Sequence, residues 1–377
     1  MFELPGSAVH LVLAALFVLA AIIQLWYYLG YYIRTATYRA GKIKSHKPPV
    51  SVVICARNEA GNLKAFLPSV MEQDYPDFEV VVVNDCSEDD SEDVLKAFEK
   101  EYSNLKIVTI HKESSVRHSK KMALFIGIKS ASHETLVLTD ADCQPVSGNW
   151  IKRSISSFRK ETDFVLGYGG YLQNKGLLNK YIRMDTMFLA MQYLGMARAG
   201  IPYMGVGRNL GYRKSVFFEN RGFGPHLNLQ SGDDDLFVNA LARKKNTAVC
   251  ISDDAFTRSV PATTWRGFTK QKKRHMSTAT LYRGFTKFIL LTEPVSRVAF
   301  YSLFAVLLSL SVMTVPVLAL FAVVFIVKNV ITSLVRKTLN EKDLLLFSPL
   351  YDIISPFLNV YFMISVLFKR HLYYEWK

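Results

Sequence analysis

Cysteine is scarce and scattered in this chain. Cys55, Cys86, Cys143 and Cys250 are the only four, and no two form a CxxC pair. That spacing excludes a disulfide framework and a structural zinc site, and it points to a reducing compartment for the middle of the chain. Acid is the minority charge: Asp and Glu total 32 against 46 Lys and Arg, a formal net charge of +14. Such an excess suits nucleic acid, anionic lipid or polyphosphate. No zinc-finger, basic-zipper or RNA-recognition pattern is present, so nucleic acid is not an expected partner. The basic residues gather instead beside apolar segments, at 34–47 and 266–283, which favours the cytoplasmic face of a membrane. The first apolar run has no positive residue ahead of it and no convincing small-residue cleavage site after it. An uncleaved anchor is expected, not a signal peptide. What the chain does have is length and apolar mass. Its 377 residues allow one large domain with appendages, or two domains. Half are hydrophobic and the mean hydropathy is +0.14, with the excess concentrated at both ends, as in membrane segments.

Residues 9–32 are almost uncharged and long enough for one helix across a bilayer. Trp26, Tyr27, Tyr28, Tyr31 and Tyr32 then sit at the interface, with Arg34, Arg39, Lys42 and Lys44 beyond it. This charge bias places the N-terminus outside and the following residues in the cytoplasm. Residues 298–327 exceed one crossing, and Thr314-Val315-Pro316 reads as a hairpin between spans at 298–314 and 317–335. Lys328 is then intramembrane or snorkelling. Arg336, Lys337 and Lys342 return to the cytoplasm. A last apolar segment, 344–368, contains Asp352 and Pro356 and either spans or lies in the interface. The tail Lys369-Arg370-His371 prefers the cytoplasm. The expected divisions are 1–46 (anchor and linker), 47–260 (catalytic unit), 261–292 (basic interface region) and 293–377 (C-terminal membrane region).

Between the ends, strand-like and helix-like runs alternate. Residues 50–56, 78–84, 105–110 and 136–139 are short apolar runs of the kind that forms buried strands, separated by helical stretches at 62–72, from 88–91 onward, and at 119–130. This pattern predicts an α/β fold with a mixed, mainly parallel sheet and flanking helices. The fourth run ends in Asp140-Ala141-Asp142, and residues i and i+2 of an extended segment share a side. Both carboxylates then face one point past the strand's carboxyl end, where open α/β sheets bind ligands. Two hard oxygen donors there suit Mg²⁺ or Mn²⁺ carried on phosphates, although two acids in a solvated turn give the same pattern. Asp85 ends the second run at the same edge and can accept from an imino N–H of a base, or cap the next helix. Lys120 and Lys121 open a helical run and can reach a phosphate or face solvent.

Further along, residues 177–198 form a Met- and aromatic-rich helical stripe, expected in the core. A glycine-bearing segment, Gly205-Val206-Gly207-Arg208-Asn209, permits close backbone approach to a ligand. Gln230-Ser231-Gly232-Asp233-Asp234-Asp235 is a second acidic site that also suits a helix N-terminus. Thr263 or Thr264 caps a basic helix in which Gln271 and Arg274 share a face. Trp265 and Phe268 of that helix can dip into anionic lipid.

The ordered set Val52–Glu59, Val82–Ser91, Lys120–Leu124 and Asp140–Asp142 resembles the family 2 glycosyltransferases, over about residues 50–280. The resemblance implies the GT-A fold, the nucleotide-diphospho-sugar transferase architecture, and inversion at the anomeric carbon. It also implies roles. Asp85 contacts the base, and the loop from Ala56 through Asn58 and Glu59 lines base and ribose. Lys120 reaches phosphate, while Asp140 and Asp142 position ribose and metal. Asp234 is the base, with Asp233 or Asp235 orienting it or the sugar. Gln271 and Arg274 match a Gln-x-x-Arg-Trp motif, but His275 replaces the tryptophan, which argues against processive polymer synthesis. The expected donor is a nucleotide sugar, UDP-linked by preference, and the expected acceptor is a membrane lipid or lipid-linked sugar. A processive synthase and a catalytically silent membrane scaffold are the alternatives.

Overall fold

In the computed structural model, β-branched runs become strands and the segments between them become helices that cover the sheet. The structure describes residues 5–43, 47–111, 119–224, 229 and 231–368; Lys44, Gln230 and the tail Lys369-Arg370-His371 lie outside them. The elements are α1 (Pro5–Tyr27), a π-helical turn (Tyr28–Tyr32), α2 (Ile33–Ala36), β1 (Val50–Ala56), α3 (Ala60–Met71), β2 (Phe78–Asp85), α4 (Ser91–Glu101) and β3 (Leu105–Ile110). They continue with α5 (Lys120–Ser130), β4 (Thr135–Leu138), β5 (Cys143–Pro145), α6 (Trp150–Ser157), β6 (Phe164–Gly167), β7 (Gly169–Tyr171), α7 (Leu177–Arg198) and β8 (Leu210–Arg213). The rest are α8 (Lys214–Glu219), α9 (Asp235–Leu241), β9 (Thr247–Cys250), β10 (Thr257–Ser259), α10 (Trp265–Thr278), α11 (Gly284–Ser309), α12 (Thr314–Thr338) and α13 (Ser348–Phe368).

Seven strands form one sheet in the order β3-β2-β1-β4-β8-β6-β9, and three more form a small sheet, β5-β10-β7. In the large sheet only β8 runs antiparallel to its neighbours, so the sheet is mixed and mainly parallel as the alternation predicts. Register puts Ala56 beside Asn84 and Val53 beside Leu138, so β1, β2 and β4 deliver their carboxyl ends to one edge. Every residue of β1 is buried, which accounts for its unbroken apolar run. Gly127 lets α5 lie on that sheet: a Cβ there would stand 2.8 Å from Val53 Cγ1 and 2.9 Å from Val83 Cγ2.

The methionines of α7, Met184, Met187, Met191 and Met196, are buried in the core. The first apolar segment packs directly on this helix. Gly195 makes that possible, since a Cβ would lie 2.5 Å from the Tyr31 carbonyl oxygen, and Thr35 Oγ1 donates to Met191 O at 3.0 Å.

Four helices are long and apolar enough to cross a membrane: Ala8–Ala36, Gly284–Ser309, Thr314–Thr338 and Ser348–Val366. Leu11, Leu19, Ile22, Val315, Val323 and Ile326 are exposed on their outer faces, as a lipid-facing surface requires. The turn between α11 and α12 falls at residues 310–313, not at Thr314–Pro316. Ser311 and Met313 take positive φ there, while Pro316 sits in the first turn of α12, where its missing N–H costs no helical bond. α11 begins at Gly284, within the stretch expected to be an interface region. Lys328 does not snorkel. It is buried, 2.7 Å from Asp352, and Asp352 also meets Arg297, whose other partner is Glu293. These two acids and two bases are neutral together and face the bundle interior. Phe268 packs on Tyr181 and Phe362 and is buried, so of the expected interfacial pair only Trp265 is exposed.

Candidate active site

Two loops at the sheet edge are stitched to each other before they offer any group to a ligand. β1 ends at Ala56, and Asn58 turns the chain with φ 55°. Asn58 N–H donates to Ser87 Oγ (3.0 Å), Glu59 N–H to Ser91 Oγ (3.0 Å) and Ala60 N–H to Asp89 Oδ2 (3.1 Å), so side chains after β2 satisfy the first amides of α3. Asn58 Oδ1 accepts from Glu88 N–H in return. Asp85 is the last residue of β2 and is buried. Burial raises the Glu59 carboxyl above the usual range, with the charges of Asp142 and Asp140 adding to the effect.

Asp140 and Asp142 follow β4, which ends at Leu138, two residues earlier than the extended reading requires. They converge through a turn closed by Cys143 N–H donating to Asp140 O at 3.1 Å, not through strand alternation. Oxygen and sulfur ligand atoms of Asp140, Asp142 and Cys143 all lie within 4.8 Å of one another. The Cys143 thiol donates to Asp142 Oδ1 (3.3 Å), and burial pushes its pKa up strongly, so it remains a thiol and a poor ligand. Burial, then Asp140, raise the Asp142 carboxyl above the ordinary range; a divalent cation relieves that repulsion. Two carboxylates with room for phosphate oxygens and water fit Mg²⁺ or Mn²⁺.

Lys120 links the two acidic motifs. Ser119 caps α5, and Lys120 is its first residue, a position the helix dipole makes unfavourable for a cation. Carboxylates offset this, with Lys120 Nζ 2.7 Å from Asp140 Oδ1 and 3.4 Å from Asp233 Oδ2. A cavity lies among Lys120, Asp140, Gly207, Asp233 and Asp234, over an apolar floor of Val53, Leu124 and Leu138. Lys121 turns away, is buried, and donates to Leu229 O at 2.9 Å.

The three consecutive aspartates have three different environments. Burial acts to raise the Asp233 carboxyl, but Lys120 overrides it and holds the group below its usual value. Asp234 Oδ2 accepts from Gly207 N–H (2.6 Å) and Oδ1 from Asp235 N–H (2.8 Å), so it also caps α9. Burial, then the charges of Asp233 and Asp235, push the Asp234 carboxyl up to about 7. Asp235 faces away from the cavity and accepts from Tyr282 Oη (2.7 Å) and from Thr278 Oγ1.

Of the residues singled out in the sequence, Lys120, Asp140, Asp233 and Asp234 wall one cavity. Asp142 adjoins it through Asp140, while Asp85 and the loop from Ala56 to Glu59 stand along the same sheet edge. Gln271 reaches the site indirectly: its Nε2 donates to Tyr171 Oη (3.0 Å), and the Tyr171 ring carries the Arg208 guanidinium 4.3 Å from its centroid. Arg274 lies one turn on, with Nε buried and without a hydrogen-bond partner among the described residues. Thr264 is the cap of α10.

Sequence reasoning missed Arg208 and Ser259 as site residues. Arg208 O accepts from Thr139 Oγ1 (3.1 Å) and Thr257 Oγ1 (2.8 Å), which fixes this cation beside the Asp142 turn. Ser259 Oγ donates to Asp142 Oδ2 at 2.9 Å. Arg208 had a signal, a lone cation in a glycine-bearing segment; Ser259 had none.

A family model described as Glycosyl transferase family 2 matches residues 51–219. Glycosyltransferase AglE from Haloferax volcanii is 34% identical over 112 residues, covering 29% of this chain and 35% of that protein. Poly-beta-1,6-N-acetyl-D-glucosamine synthase from Staphylococcus epidermidis is 32% identical over 93 residues, covering 25% and 21%. The chain thus spans about a third or less of the length of these relatives. Among solved structures, mannosyltransferase PcManGT from Pyrobaculum calidifontis, in complex with GDP-Man and Mn²⁺, superimposes with TM-score 0.58 at 17% identity. That superposition covers 92% of this chain and 99% of that one, a likeness of fold. Residues 51–219 therefore form a family 2 glycosyltransferase domain with the GT-A fold.

Proposed function

We propose that this protein is an inverting glycosyltransferase that moves a sugar from a nucleotide-diphospho-sugar to a membrane lipid or lipid-linked acceptor at the cytoplasmic membrane face. The observation that carries this reading is the Lys120 bridge. It brings a carboxylate pair suited to a metal-bound diphosphate against a carboxyl tuned to about 7. Adjacent strands lie about 4.8 Å apart, so Asp85 on β2 is roughly 10 Å from the end of β4. That span suits a nucleoside diphosphate, with its base at Asp85, its ribose along Ala56, Asn58 and Glu59, and its phosphates at Asp140 and Asp142.

Asp140 and Asp142 would hold Mg²⁺ or Mn²⁺, which when bound neutralises charge on the leaving diphosphate. The chain's own residues do the rest. Asp234 takes the proton of the acceptor hydroxyl, which bonds to the anomeric carbon from the side opposite the diphosphate. The bond from that carbon to the diphosphate breaks, and its electron pair leaves with the phosphate oxygen. Lys120 and Arg208 place positive charge where the diphosphate departs. A pKa near 7 suits a general base at cytoplasmic pH, and such a group contributes roughly 10²–10⁴-fold. Arg274 holds the donor from the α10 side, and Gln271 acts through Tyr171 and Arg208.

The four apolar helices and the basic α10 present this cleft to the bilayer, which is why a lipid-borne acceptor is favoured over a soluble one. The test is a screen of UDP- and GDP-sugars with membrane lipid extract, read by released nucleoside diphosphate and by product length. One donor giving lipid-linked product with a single added sugar supports the proposal. Long polymer favours a processive synthase, and no donor-dependent release favours a silent scaffold.

A further inference from the structure

The loop between α12 and α13 sends a fully buried carboxylate into the catalytic domain. Glu341 is 0% exposed. Its Oε2 accepts from Arg183 Nε (2.9 Å) and Nη2 (2.5 Å), and its Oε1 accepts from Tyr168 Oη (2.9 Å) and from Arg258 Nη1. Arg258 is the central residue of β10, a three-residue strand paired with β5 on one side and β7 on the other. The next residue, Ser259, points to the opposite face, as strand alternation demands. There its hydroxyl donates to Asp142 Oδ2 at 2.9 Å, while the following amide, Val260 N–H, donates to Asp142 O at 3.2 Å. β10 thus grips Asp142 at side chain and carbonyl, and Glu341 grips β10 from behind.

We propose that Glu341 is a positioning residue for Asp142, acting through Arg258 and Ser259. A loop of the apolar C-terminal region thereby sets the catalytic domain's affinity for its divalent cation. The inference rests on Asp142 being a metal ligand, as in the proposed function. Besides the weak Cys143 thiol donor, the Ser259 hydroxyl and one short strand hold this carboxylate, which loses orientation when either is released, and partners of this kind typically contribute 10–100-fold to metal affinity.

The test is Mn²⁺ binding to the full chain in detergent, followed by electron paramagnetic resonance, with unfolding midpoints measured in parallel. Ser259→Ala and Glu341→Gln should each weaken Mn²⁺ about 10–100-fold at temperatures where both remain folded. Their double variant should be little weaker than either alone. A purely architectural Glu341 would lower the midpoint and leave Mn²⁺ affinity unchanged. If Glu341→Gln does not fold, Arg258→Lys, which keeps the charge but shortens the donor fork, takes its place with the same expectation. Folded variants at Glu341 or Arg258 that bind Mn²⁺ within twofold of wild type, while Asp142→Asn loses it, overturn this inference alone. An Asp142→Asn variant that binds Mn²⁺ normally overturns the metal-site reading, and this inference with it.

Discussion

Asp234 offers the sharpest test, because its environment fixes both a size and a pH. The group is raised from 3.8 to about 7, first by burial and then by Asp233 and Asp235, against the opposing pull of Lys120 and the Gly207 amide. That environment disfavours ionisation by about 4 kcal/mol. Only the ionised form can take a proton from the acceptor. At pH 6 about a tenth of the sites are ionised, and at pH 5 about a hundredth. At saturating Mn²⁺, kcat/KM for the donor should therefore be level above about pH 8 and fall about tenfold per unit below 7. Asp234→Asn should cost roughly 10²–10⁴-fold in kcat, about 3–5 kcal/mol of barrier, and donor binding should survive. Its residual rate should lose the limb near 7. The assay is nucleoside diphosphate release between pH 5 and 9. Wild-type turnover by Asp234→Asn, or a limb that persists in it, would refute the assignment of the base. The folding linkage has the opposite sense to activity. A carboxyl raised in the folded state stabilises the fold fully below 3.8, and this contribution is lost as pH rises towards 7.

Other expectations can be checked alongside. Lys120→Met removes the cation that opposes the raised Asp234 carboxyl, so the acidic limb should move to higher pH, by up to about one unit, and donor-limited rates should fall at least tenfold; an unmoved limb counts against the bridge. Asn209→Ala breaks bonds to Trp150 Nε1 (3.1 Å), Tyr168 O (2.9 Å) and Ala255 O (2.8 Å) in the core, and should lower unfolding stability by roughly 3 kcal/mol or more; under 1 kcal/mol would contradict the buried network. Lys328→Met leaves Asp352 short of its near partner at 2.7 Å and should destabilise the detergent-solubilised chain by about 3–5 kcal/mol, with Lys328→Met/Asp352→Asn recovering part of the loss; additive penalties would show that the pair is not coupled.

The parts of this molecule that could be read from its residues are those governed by local rules. Val50–Ala56 is an uninterrupted buried strand because both faces are covered, and Asp85 marks where β2 leaves the sheet. The boundaries of α7 follow its apolar stripe. The hairpin at Thr314–Pro316 was misplaced because proline reads as a breaker. In the structure it opens α12, and the turn is made by residues 310–313, which include neither proline nor glycine. Long-range pairings left no trace in the sequence. Neither the Lys120 bridge to Asp140, nor Arg208 on Tyr171, nor Glu341 beneath Arg258 follows from any spacing, because each depends on how distant elements dock. The same holds for Asp235. In a run of three identical acids only the partners Thr278 and Tyr282 distinguish the one that ties α9 to the α10–α11 junction.

The seat of Tyr31 against Gly195 has a mechanical consequence. Backbone meets backbone there with no side chain between, and Thr35 adds a bond to Met191, so the first apolar segment is welded to the longest helix of the α/β unit. A domain on a flexible tether would sample many heights relative to the apolar helices; this one has a set stand-off from them. Under the proposed function, reach becomes a criterion of selection, because a sugar presented too near the headgroups or too far into the cytosol cannot meet the cleft.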